Sequence, residues 1–144
     1  MTRLLPVSCV QFGGVVGSRV GPLLARAHEL GPDVVVVSGD FTQGARRREY
    51  IAADAFLERL PAPRLVVPGN HDIPLWDVIR RFASPLGRYR RYITDELAPF
   101  YQDAEIAVLG IHTARSFTRK YGRINADQIA HARAVFGAVQ GDVV

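Results

Sequence analysis

The chain is short of cysteine, lysine and long apolar runs, and each shortage excludes something. Cys9 is the single cysteine, so no intrachain disulfide can form, and a reducing compartment, the cytoplasm, is the expected location. Lys120 is the single lysine among 18 cationic residues. No stretch approaches the roughly 20 apolar residues of a membrane-spanning helix, so no membrane role is expected. Near the N-terminus, Arg3 followed by Leu4-Leu5-Pro6-Val7-Ser8-Cys9 loosely has the form of a secretion signal. It falls short of the usual apolar segment of about 7–15 residues, and Pro6 interrupts it; a buried first strand fits better.

What remains is an ordinary globular composition. Of 144 residues, 48% are apolar and 22% charged, enough for one domain with a real core, taken as residues 1–144. The net charge of +4 rests on arginine, whose planar fork matches phosphate oxygens, although solvated faces account for most surface arginines. Arg46-Arg47-Arg48, Arg80-Arg81 and Arg88, Arg90 and Arg91 cluster without any nucleic-acid-binding motif, so nucleic acid is not the expected partner.

Residues 34–37, 65–67 and 106–109 are continuously apolar, the pattern of strands covered on both faces. Residues 4–10 form a further strand at the start. Pro22 suits a first helical position, with Leu23, Leu24, Ala27 and Leu30 on one stripe before Gly31. Residues 45–60 place Ala53, Phe56, Leu57 and Leu60 on one face before Pro61. A short helix is expected over residues 73–82, and a loop followed by a strand or hairpin over residues 84–91. Asn125-Ala126-Asp127-Gln128 begins a last helix as a capping box, and Asp142-Val143-Val144 has the look of another strand. The order is that of an α/β domain, with three strand ends delivering polar groups to one sheet edge.

Those strand ends carry the chemistry. Val34-Val35-Val36-Val37-Ser38 leads into Gly39-Asp40, and Leu65-Val66-Val67-Pro68 leads into Gly69-Asn70-His71-Asp72. A carboxylate can bridge two divalent cations, an amide oxygen is a neutral ligand, and a nearby imidazole can protonate a leaving oxygen. Asp72 would orient that imidazole.

These blocks resemble the calcineurin-like metallophosphoesterases, in particular the bacterial branch of cyclic-nucleotide-type phosphodiesterases. Phe41-Thr42, Thr113-Ala114-Arg115 and Gly122-Arg123-Ile124 extend the likeness to about Phe136. The resemblance implies a layered α/β/β/α sandwich with a mixed sheet and flanking helices. It implies divalent metal ions (Mn, Fe, Zn or Mg) and hydrolysis of a phosphomonoester or phosphodiester, a small molecule, by metal-bound hydroxide. Asp40 would be the bridging carboxylate, Asn70 a ligand of the second metal, and His71 the catalytic imidazole.

The first strand departs from the pattern. Where the family has Ser-Asp-x-His-Phe-Gly, this chain has Ser8-Cys9-Val10-Gln11-Phe12-Gly13. Cys9 and Gln11 thus stand at the first-metal ligand positions. A thiolate favours softer ions, a glutamine carbonyl is a weak ligand, and the plain reading of Cys9 is a small buried apolar residue. The family's closing Gly-His-x-His is not in the sequence, and His28, His112 and His131 are given local structural roles. The expectation is a domain incomplete at its C-terminus, with weak metal binding and little hydrolysis. Alternatively it binds a phosphate ligand without cleaving it, or recruits a partner chain or a second copy through an uncovered sheet face. Arg90, Arg91 and Arg115 are candidates for guiding substrate.

Overall fold

The computed structural model describes residues 1–14, 17–117 and 121–139. Three parallel strands, β1 (Leu4–Ser8), β2 (Val34–Ser38) and β3 (Arg64–Val67), lie in the order β1-β2-β3. They are joined by α1 (Gly17–Leu30) and α2 (Arg47–Arg59). A 3-10 turn at Asn70–Asp72 then leads to α3 (Val78–Ala83) and α4 (Gly87–Tyr92). A two-stranded antiparallel sheet, β4 (Phe100–Gln102) with β5 (Ala107–Leu109), precedes α5 (Ala126–Gly137). This is the mixed α/β architecture that the resemblance implies, with a parallel sheet and flanking helices.

Register decides which residues meet. Val7 pairs with Val37, and Val37 with Val66, so Val7, Val35, Val37 and Val66 point to one face of the sheet. There they join Leu24 and Ala27 of α1 and Ala53, Phe56 and Leu57 of α2 in the main core. Val34 and Leu65 are buried on the opposite face, where Gly110 packs close to Val67 and Pro99. Central strand β2 is therefore covered on both sides, as its unbroken valines require. Exposed large apolar side chains include Trp76, Val78, Ile79 and Phe82 on the segment 76–82, Phe100 on β4, and Ile129 and Phe136 on α5. Among the described strand residues the exposed large apolar side chains are Leu4 of β1 and Phe100 of β4.

Two local expectations are corrected. Pro22 lies inside α1, which begins at Gly17, because Val20, one turn before Leu24, also packs on the core. Residues 84–91 form no strand or hairpin. Leu86 and Tyr89, three apart, are both buried, and that spacing closes a helical turn while Arg90 and Arg91 stay in solvent. The helix expected over residues 73–82 starts only at Val78, where the Asp77 side chain accepts from the Arg80 N–H at 3.1 Å. Asn125 and Gln128 do form the capping box of α5. Residues 142–144 lie outside the described residues.

Phe56 pins α2 to the loop after β1, its ring centroid 5.7 Å from that of Phe12. It is 2% exposed, so Phe56→Ala should lower unfolding free energy by about 3–5 kcal/mol in a guanidinium titration.

Candidate active site

The loops that leave β1, β2 and β3 continue to hydrogen-bond to one another after the strands end. The Gln11 N–H donates to the Asp40 carbonyl (2.8 Å), Phe12 N–H to the Phe41 carbonyl (2.7 Å), and Gln43 N–H to the Phe12 carbonyl (3.0 Å). To turn while staying in register, Cys9 (φ 54°), Gln11 (φ 43°) and Asp40 (φ 53°) adopt the left-handed conformation. That conformation is unfavourable for side-chain-bearing residues, by about 1–2 kcal/mol each. Such positions cluster at functional sites, where the surrounding structure holds them.

Asp40 sits in a contact only glycine permits. A Cβ at Gly69 would lie 2.2 Å from Asp40 Oδ1, and one at Gly39 would lie 2.7 Å from the Gly69 Cα. The two loops therefore touch backbone to backbone, and the His71 N–H donates to Asp40 Oδ1 at 3.0 Å. Asp40 and Asn70 line a cleft of about 280 Å³ together with Thr113, Arg115 and Tyr121. His71 lies on the other side of Asn70, in a cleft of about 440 Å³ shared with Gln43, Ile73, Leu75 and Arg81.

Asp72 does something other than orient the imidazole. Its carboxylate is fully buried and points back between the loops. It accepts from Gly69 N–H (2.9 Å), Phe41 N–H (3.3 Å), Thr42 N–H (3.0 Å) and the Thr42 hydroxyl (3.0 Å). The Tyr50 hydroxyl donates to its backbone carbonyl at 2.5 Å. The imidazole is held instead by a backbone group: His71 Nδ1 lies 3.2 Å from the Gln43 carbonyl. A carbonyl only accepts, so Nδ1 carries the proton there, and Nε2 is the nitrogen presented for chemistry.

Burial pushes the Asp72 carboxyl up from 3.8 to about 6, against the opposing pull of the backbone N–H bonds it accepts. Burial, with Asp72 close by, likewise raises the Tyr50 and Tyr89 phenols.

Several other expectations are also settled by position. Cys9 is exposed rather than a buried apolar residue, because the left-handed turn swings it out of the core. Arg115 does line the Asp40 cleft, its guanidinium donating to Gln128 Oε1 at 2.5 Å. Arg91 lies over the Tyr92 ring, and Arg90 lines a separate hollow at residues 83–87. His28 bonds the Arg59 carbonyl at 2.7 Å, linking α1 to the end of α2. His112 and His131 border another cavity, which Asp40 does not line. Burial, with Arg115 adding to it, holds the His112 imidazole below its usual range.

The residues that motif reading undervalues are Thr42, Glu49 and Gln43. Thr42 is fully buried, and its hydroxyl also lies 3.0 Å from the His71 carbonyl and accepts from the Ala45 N–H. Glu49 Oε2 accepts from the N–H groups of Gly44 and Arg46, shaping the loop that enters α2. The only sequence sign of these was Phe41-Thr42 following Gly39-Asp40; Gln43 acts through its backbone, which no side-chain pattern discloses.

Fit to metal ions can be judged from the donor set. Asp40 and Asn70 offer a carboxylate and an amide oxygen from adjacent strand ends, suited to one hard divalent ion. Cys9 and Gln11 do not supply the hard, charged donors of a second. Among the described residues no group of three or more His, Cys, Asp or Glu side chains comes together as a metal site.

The second and third parallel strands end beside one another, with Gly39-Asp40 and Gly69-Asn70-His71-Asp72 on the loops that follow them. The chain belongs to the calcineurin-like phosphoesterase family, whose model matches residues 18–135. The matched stretch begins beyond Cys9 and Gln11, the block that departs from the family pattern. The chain is also 39% identical over 72 residues to the glycerophosphodiester phosphodiesterase GpdQ of Enterobacter lignolyticus (strain SCF1). That alignment covers 46% of this chain and 26% of the relative, so the chain spans about a quarter of the relative it matches. Among the described residues no helix is long and apolar enough to cross a membrane.

The Asp72 environment gives a signed pH prediction for the metal-free protein. Below about pH 4 the carboxyl is neutral folded and unfolded, and its burial costs nothing. Between about pH 4 and 6 only the unfolded chain loses the proton, so stability falls as pH rises. Above pH 6 the full cost, at most about 3 kcal/mol, is present. Guanidinium titrations from pH 4 to 7.5 should show this decline as the difference between wild type and Asp72→Asn, which lacks the titrating group.

Proposed function

We propose that the chain is a metal-dependent phosphoesterase domain that hydrolyses a phosphodiester, slowed by its altered first strand. The observation that carries this reading is the pair of clefts meeting at Asn70, one holding Asp40 and the other His71. A phosphodiester has two ester arms and needs room on both sides of the phosphorus; a monoester needs only one. The relative's printed activity, on a glycerophosphodiester, is of the same class.

Asp40 and Asn70 would hold the divalent ion, which supplies charge neutralisation and Lewis acidity at the phosphate. Arg115, beside them, would pair with a phosphate oxygen or with the retained arm. In hydrolysis a water oxygen bonds to phosphorus as the bond to the leaving oxygen breaks. His71, protonated at Nε2, gives that proton to the leaving oxygen, and the proton that the water sheds restores the imidazolium. Gln43 fixes the ring through Nδ1, and the buried Asp72–Thr42 linkage keeps Asp40 and His71 in register.

A second reading is a non-catalytic site that binds phosphate esters, favoured by the missing cluster of three metal-ligating side chains among the described residues. Metal content after dialysis against Mn²⁺ or Zn²⁺, and release of nitrophenol from bis(4-nitrophenyl) phosphate, separate the two. The hydrolytic reading expects bound metal that Asp40→Ala removes, and slow turnover that His71→Ala lowers by about 10²–10⁴-fold. It also expects a gain in turnover from Cys9→Asp combined with Gln11→His. Phosphate-ester binding without turnover in any of these proteins establishes the second reading instead.

A further inference from the structure

We propose that the chain docks on an anionic lipid surface through α3 and the arginines beside it. No residue of α3 is buried. Val78 and Phe82, four apart, share one side of this short helix with Ile79, which is 81% exposed. Trp76, just before the helix, is 84% exposed, and the open Phe117 ring packs on Phe82 with centroids 5.2 Å apart. Single apolar side chains on a surface are ordinary, whereas a contiguous group marks a place of interaction.

Charge decides what covers this group. Residues 73–93 hold five arginines and one acid, Asp77, so the segment alone carries as much net charge as the +4 of the whole chain. Asp77 pairs with Arg80 at 3.0 Å. Arg90 and Arg91 are exposed, and Arg90 borders a hollow with residues 83–87, directly after Phe82. The Arg88 guanidinium donates to the Ala45 carbonyl at 2.7 Å, which sets α4 beside the exposed Arg46, Arg47 and Arg48. Asp95 and Glu96 follow α4, yet among the described residues none of these five exposed arginines stands in an ion pair. A second copy of the chain would set like charges against each other, and an apolar partner face would bury arginines without counter-charges. A bilayer with anionic headgroups suits both features. Apolar and aromatic side chains enter the boundary between headgroups and acyl chains, while the arginines stay among the phosphates. Lying on a surface needs no spanning helix, so the proposal replaces the expectation of no membrane role, which rested on span length.

The test is sedimentation of the full chain with vesicles of phosphatidylcholine, alone or with about 30% phosphatidylglycerol to supply a negative surface potential. Trp76, the single tryptophan, reports insertion through quenching of its emission by brominated acyl chains. Wild type should bind the anionic vesicles at least about tenfold more tightly than the neutral ones, with Trp76 quenched. Ile79→Ser should weaken binding about tenfold, and Arg90→Gln combined with Arg91→Gln about 10–30-fold. Arg19→Gln combined with Arg133→Gln makes the same change of net charge at exposed positions of α1 and α5, and should leave binding unchanged. Far-UV circular dichroism checks that each variant folds. No binding to anionic vesicles, equal binding to neutral ones, or binding without quenching of Trp76 each overturn the proposal. So does a loss in the Arg19/Arg133 variant as large as that in the Arg90/Arg91 variant. A dimer that Ile79→Ser dissociates, in a wild type that ignores vesicles, overturns it as well and gives the face to a second copy.

Discussion

The candidate site depends on a carboxylate that cannot reach solvent. Asp72 is clamped between the loops after β2 and β3, receiving N–H groups from both and the Thr42 hydroxyl as well. An ionised carboxylate in such a place is costly unless its oxygens are bonded, and here the bonds come from the same two loops that carry Asp40 and His71. The electrostatic need of one group therefore sets the spacing of two others. Tyr50, reaching from α2 to the Asp72 carbonyl, ties that arrangement to the helical layer.

The same closeness explains the glycines and the strained residues. Gly39 and Gly69 let two backbones meet where any side chain would collide with the other loop. Asp40 then turns left-handed to bring its oxygen onto the His71 N–H. The strain at Cys9, Gln11 and Asp40 is offset by the inter-loop backbone bonds and by the Phe12–Phe56 packing beneath them. Cys9 and Gln11 hold the left-handed backbone of the first strand end without offering a charged hard ligand.

Much of this was legible in the amino-acid order. The valine run of β2 and the apolar run of β3 have no alternation because both of their faces are covered, and Gly-Asp and Gly-Asn-His-Asp fall where those strands end. Less legible were the short helices. α4 has six residues, too few for periodicity to stand out, and Leu86 and Tyr89 become a pair only once the core is there to receive them. Pro22 resembles a helix start locally, yet Val20, two residues upstream, already packs on the core.

Sequence by itself determined the strand order of the chemistry: which residue types stand at each strand end. That information is local, carried by residue identity and spacing. Only the tertiary structure decided that Asp72 serves the loops and not the imidazole, that Gln43 orients His71 through its backbone carbonyl, and that Asn70 divides two clefts of different lining. Those outcomes depend on where side chains point once distant loops are pressed together. That direction is fixed by burial and hydrogen-bond satisfaction across some 30 positions of sequence separation, which no local pattern encodes.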